Sequence, residues 1–75
     1  MSELTFGQKA CGVSFNPGGH AVVNEIKTDF ANIIDNIHAI RLATEDAEVK
    51  RMLSIAITEA QAAQMWAVKA VTWQY

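Results

Sequence analysis

One cysteine, one proline and four glycines, all of them before residue 20, are all the covalent and conformational punctuation this 75-residue chain has. A lone Cys11 excludes an internal disulfide framework. Cys11, His20 and His38 also lack the close paired spacing that structural zinc sites use. No apolar run is long enough to span a bilayer. The opening Met1-Ser2-Glu3-Leu4-Thr5-Phe6 places an acid early and has no apolar segment of signal-peptide length. The expectation is a soluble, cytoplasmic chain with a reduced thiol. Basic residues are scarce too: six Lys and Arg against eight Asp and Glu give a formal net charge of -2. That balance argues against a general nucleic-acid coat or a membrane-surface binder, so any bound anion has to be small and met by a local cluster.

What is present is helical periodicity. Hydrophobic residues make up 51% of the chain, yet a chain this short buries a small fraction of its surface when folded alone. With disulfides and metal excluded, self-association is the remaining source of stability. Residues 1–19 hold every glycine and the proline, in Phe6-Gly7, Cys11-Gly12 and Asn16-Pro17-Gly18-Gly19, and read as an irregular arm of turns and extended chain. Residues 20–75 read as a helical hairpin domain. From His20 to about Ala43, Val22, Ile26, Phe30, Ile33, Ile37 and Ile40 recur at alternating four- and three-residue steps, the mark of one helix.

Thr44 before Glu45 and Asp46 reads as the N-cap of a second helix, with acids at its positive end. That helix runs to about Thr72. Its seam, Val49, Leu53, Ala56, Ala60, Ala63, Ala67 and Val71, is mostly alanine and lets two backbones approach closely against the larger side chains of the first helix. The short Ala43–Asp46 link makes the helices antiparallel. Met52, Ile55, Ala62 and Trp66 occupy a neighbouring face, extended by Ile57, Met65 and Val68, and one partner helix cannot cover it all. The fold class expected is therefore all-α: an antiparallel two-helix hairpin with an irregular arm, assembled into a homo-oligomeric bundle.

Chemistry is sparse. Cys11 is the one nucleophile of note, and neither His20 nor His38 has an evident third group to orient it as a base. Glu25 with Asp29, and Glu45 with Glu48, have the spacing of solvated helix faces. Asn16-Pro17-Gly18-Gly19 lacks the lysine and spacing of a phosphate loop and reads first as a turn capping the helix after it. The cations are more informative. In the hairpin, facing residues have numbers adding to roughly 89, which puts Lys69 near His20 and Lys27 near Ala62, close to where Phe15 enters. Arg41, Lys50 and Arg51 gather at the loop end, roughly 20 Å away at 1.5 Å per residue. Each cation has the alternative of a solvated charge or a partner for an acid. Phe15 has the alternative of tucking the arm against the first helix. Trp66 reads as a packing anchor, and Trp73 and Tyr75 fit either a subunit contact or a pocket wall.

Ser14-Phe15-Asn16-Pro17-Gly18-Gly19, then Val23-Asn24-Glu25-Ile26-Lys27, then Arg51 to Gln61 and Met65-Trp66-Ala67-Val68-Lys69-Ala70 together resemble the helical-hairpin domain of the phage sponges that oppose CBASS and Thoeris defence. The likeness runs from about Gly12 to Trp73. It implies an all-α assembly, often a hexamer built from dimers, that sequesters cyclic nucleotide signals in the infected bacterial cell without cleaving them and without a cofactor. Residue by residue, the resemblance places the base-stacking aromatic on Phe15, the lysine of the Asn-x-x-Lys element on Lys27 and a phosphate-contacting arginine on Arg51, with Asn24, Arg41, Thr58 and Lys69 as further ligand contacts. Relatives that bind cyclic dinucleotides often carry a Gly-Tyr-Arg type element where this chain has Ser14-Phe15-Asn16. The absent arginine keeps cyclic ADP-ribose signals beside cyclic di- and trinucleotides as implied ligands.

A sponge needs a stacking surface, a few cations aimed at phosphates and no acid, base or metal. A scaffolding hairpin oligomer without ligand would explain the helices but gives Phe15 and the cations no role. A DNA-binding regulator is disfavoured by the acidic balance and the lack of a short helix-turn-helix.

Overall fold

The computed structural model describes residues 3–74, which form three helices and, among those residues, no strand. The arm is not irregular throughout, because Phe6–Cys11 forms a helix, α1. Thr5 and Gln8 close a capping box: the Gln8 N–H donates to Thr5 Oγ1 at 3.1 Å and the Thr5 N–H to Gln8 Oε1 at 2.8 Å. The reciprocal pair satisfies two of the N–H groups a helix start leaves open. Gly12 ends α1 in the left-handed region, φ 62°, and the Val13 N–H returns to the Gln8 carbonyl. Only a residue without Cβ takes that turn cheaply.

Helix α2 spans Ala21–Ala43 and α3 spans Ala47–Val71. His20 caps α2, its Nδ1 accepting from the Val23 N–H at 3.4 Å. The cap of α3 is Asp46, not Thr44: one carboxylate oxygen accepts from the Glu48 and Val49 N–H groups at 2.9 and 3.1 Å. Thr44 Oγ1 instead accepts from the Asp46 N–H at 3.3 Å. The anionic acceptor wins because it also complements the helix dipole.

The two long helices are antiparallel. Val23 shares a cleft with Val68, Lys27 shares one with Gln64, and Ile34 shares the core with Ile57. The buried face of α2 is Val23, Lys27, Ala31 and Ile34, while Val22, Ile33 and Ile40 of the expected seam are exposed. On α3 the buried positions are Ile57 and Gln64, and Ala63 and Val71 of the expected seam are exposed. The cause is α1. It lies mainly along α2, and Cys11 joins Ala31, Ile34 and Ile57 in the core, flanked by Val13, Phe30, Ile37 and Ala60.

Gly7 makes that docking possible. Its N–H donates to Asp35 Oδ1 at 2.7 Å, and a Cβ there would overlap the Ala31 carbonyl oxygen and sit 2.9 Å from Asp35 Oδ1. The side chain of Gln61 reaches across from α3 to the Ala10 carbonyl at 3.3 Å. No described helix is long and apolar enough to cross a membrane.

Candidate functional site

The loop between α1 and α2 is built around Asn16. Its side chain brackets the chain reversal, with Nδ2 donating to the His20 carbonyl at 2.9 Å and Oδ1 accepting from the His20 N–H at 3.2 Å. Gly18 and Gly19 take positive φ, 87° and 61°, and the Gly19 N–H returns to the Asn16 carbonyl. Asparagine is suited to this because its side chain mimics a backbone amide. The loop presents Phe15 outward, with 71% of its surface accessible.

Lys27 fixes the other end of the loop. It is 7% exposed, and its ammonium donates to the Gly12 carbonyl at 3.1 Å and to the Phe15 carbonyl. The Nζ also lies 5.5 Å from the centre of the Phe15 ring, within cation–π range. The sequence placed Lys27 on a helix flank with its ammonium directed at a ligand. In the fold that ammonium also ties the arm to α2. The two carbonyls solvate the charge but do not neutralise it, so the field it casts remains positive.

Phe15, Asn16, His20 and Lys27 line one side of a cleft of about 370 Å³, and Val68, Val71, Thr72 and Trp73 line the other. Sequence reasoning read Asn16-Pro17-Gly18-Gly19 as a turn capping the helix after it but did not single out the Asn16 side chain, and it weighed His20 as a metal ligand, as a base and as the position facing Lys69, not as a cleft wall. The four-residue spacing of Asn16 and His20 around Pro-Gly-Gly was the available signal. A second cleft, on the α1 side of the same lysine, is lined by Lys9, Cys11, Gln61 and Gln64 among others. Burial pushes the Cys11 thiol above its ordinary value, the Lys27 charge offsets part of this and Asp35 adds to it. A buried thiol held protonated is a poor nucleophile.

The other sequence candidates do not line the Phe15 cleft. Lys69 lies on α3 with its Nζ 5.1 Å from the Trp66 ring and 5.7 Å from the Trp73 ring. Arg41 donates to Ser54 Oγ at 3.0 Å and to His38 Nδ1 at 2.9 Å, and its guanidinium lies 5.4 Å from the Phe6 ring, which stacks on His38 at 4.1 Å. Arg51 is exposed and paired with Glu48 one turn earlier. Asn24 is exposed in the first turn of α2, and Thr58 is exposed with its hydroxyl on the Ser54 carbonyl. Arg41 and Arg51 thus engage different partners. Trp73 lines the cleft, while Tyr75 lies outside the described residues. Among the described residues no group of His, Cys, Asp and Glu is placed to hold a metal ion.

Compared with protein-family models, residues 9–72 match the Acb2/Tad1 hairpin domain. The chain belongs to the Acb2/Tad1 family. The matched stretch takes in the end of α1, the Phe15 loop and both long helices, so the cleft falls within the Acb2/Tad1 domain except for Trp73 and Gln74 on its wall. This is the family of anti-CBASS and anti-Thoeris sponges, which bind their targets and are not enzymes. Comparison with curated proteins and with solved structures returns no match.

Proposed function

We propose that this chain captures cyclic nucleotide second messengers of bacterial defence, cyclic di- or trinucleotides or cyclic ADP-ribose signals, and holds them without cleaving them in the cytoplasm of the infected cell. The observation that carries the reading is Phe15, an exposed ring whose backbone is pinned from below by a buried lysine. An aromatic held in place at the rim of a cleft loses little freedom when a base stacks on it. Lys27 supplies positive potential beneath the stack, and Asn16 and His20 border the space where a phosphodiester would lie. Arg51, Arg41, Asn24, Thr58 and Lys69 serve, if they meet ligand, at surfaces completed by other copies of the chain. Self-assembly, with a hexamer as the expected form, is part of this proposal. Binding lowers the free messenger below what an effector needs by mass action alone.

The test is thermal unfolding of the protein with a panel of cyclic nucleotides. At least one should raise the midpoint, and the same ligand should fail to raise it in Phe15→Ala. No shift with any cyclic nucleotide would favour a scaffolding oligomer instead.

A further inference from the structure

The cleft on the α1 side of Lys27 holds a polar group that the fold leaves unused. Gln64 of α3 is only 5% exposed, and its side-chain amide has no hydrogen-bond partner among the described residues. That is unusual, because a glutamine amide carries two donors and an acceptor, and buried polar groups are ordinarily satisfied. Among the described residues no fully enclosed side-chain nitrogen or oxygen lacks a partner. The little surface that Gln64 keeps therefore takes in both amide atoms, and it borders a cleft of about 410 Å³.

The surroundings suit a flat ring. Met65 and Val68 supply apolar walls from α3, and Phe15 supplies an aromatic one. Three residues before Gln64, Gln61 spends its Nε2 on the Ala10 carbonyl at 3.3 Å and so holds α1 at the edge of the cleft. Phe15, Lys27 and Val68 also line the first cleft, so the two clefts lie side by side with these three residues between them. Lys27 gives two of its ammonium hydrogens to the Gly12 and Phe15 carbonyls, which leaves the third for a ligand.

We propose that the α1-side cleft is a nucleobase subsite and that Gln64 is its reader. One base of a cyclic nucleotide stacks on Phe15 in the first cleft, a phosphate meets Lys27 at the shared wall, and a second base enters the α1-side cleft to pair its edge with the Gln64 amide. The inference rests on the sponge reading above and narrows it to rings that carry at least two bases. The adjacent acceptor and donor of the amide fit the N6 and N7 edge of adenine. Turned over, the same amide fits the O6 and N1–H of guanine. Gln64 thus accepts either purine, which suits a protein that captures more than one messenger.

Two substitutions separate reading from packing. Gln64→Met keeps the length of the side chain and removes the amide, so its unfolding midpoint should equal or exceed that of the wild type. In calorimetric titration it should nonetheless bind both cyclic di-AMP and cyclic di-GMP at least about tenfold more weakly, the loss expected for a bidentate base contact. Gln64→Glu can only accept. It should favour cyclic di-GMP over cyclic di-AMP, because guanine offers adjacent N1–H and N2–H donors and adenine offers N6–H alone. If both variants bind the two probes as the wild type does, or if the wild type binds a cyclic ADP-ribose signal and neither dinucleotide, the subsite is wrong while the sponge reading stands. A wild type that binds no cyclic nucleotide overturns both.

Discussion

At the scale of the residue, Lys27 does two things with one ammonium. It donates to the carbonyls of Gly12 and Phe15 and it sets positive potential under the Phe15 ring. Removing the charge while keeping the stem, as in Lys27→Met, leaves partly buried carbonyls without their donor, a loss of about 1–3 kcal/mol. Chemical unfolding should show that loss. Calorimetric titration at two salt concentrations should show weaker ligand binding with a flatter salt dependence, because one screened charge has gone. A variant of wild-type stability would mean that the loop is held by Asn16 alone. The role of Lys27 beneath an exposed aromatic was partly legible: the family likeness marked Phe15 and Lys27 together, but the sequence held no sign that the ammonium would be spent on backbone. Lys69 stands over Trp73 but does not line the Phe15 cleft, because facing distance along a hairpin says nothing about which side of the helix a residue occupies.

At the scale of the element, the long helices were readable from the absence of breakers between His20 and Ala43 and again to Thr72. Helix α1 was not. Gly7 and Gly12 were both taken for turn residues, and only Gly12 is one. Gly7 is there for close approach, and the Thr5 and Gln8 capping box that starts the helix was overlooked. Missing α1 also shifted the buried faces, because a third element docked on α2 turns Ala31 and Ile34 inward and leaves Ile33 and Ile40 outside. The sharpest check is Gly7→Ala. Alanine favours helix by about 1 kcal/mol. A methyl group driven into the Ala31 carbonyl costs more, typically about 1–3 kcal/mol with backbone shifts. The net expectation is a less stable protein whose Cys11 reacts faster with a thiol reagent, since docking of α1 on Ala31, Ile34 and Ile57 is what buries that side chain. Unchanged Cys11 reactivity would show that α1 does not depend on the close approach at Gly7.

At the scale of the whole molecule, the chain measures 45 × 34 × 13 Å with a radius of gyration of 13.7 Å. A globular chain of this length is expected near about 11 Å. Thirteen ångströms is close to the diameter of one helix with its side chains. The protomer is a single layer, and a single layer leaves Met52, Trp66 and Ile40 in water. Sequence reasoning reached this conclusion by counting apolar faces, although it assigned some of them to the wrong partners. A layer of this kind offers a shallow cleft, and copies stacked on it would close the cleft over a bound nucleotide and exclude water. The most direct measurement of the central claim is depletion and return. Protein in excess is mixed with a cyclic nucleotide that it binds, the free signal is followed until it disappears, and the protein is then denatured. The account predicts that all of the nucleotide returns with its ring intact, and a linear or cleaved product in the released fraction would contradict it.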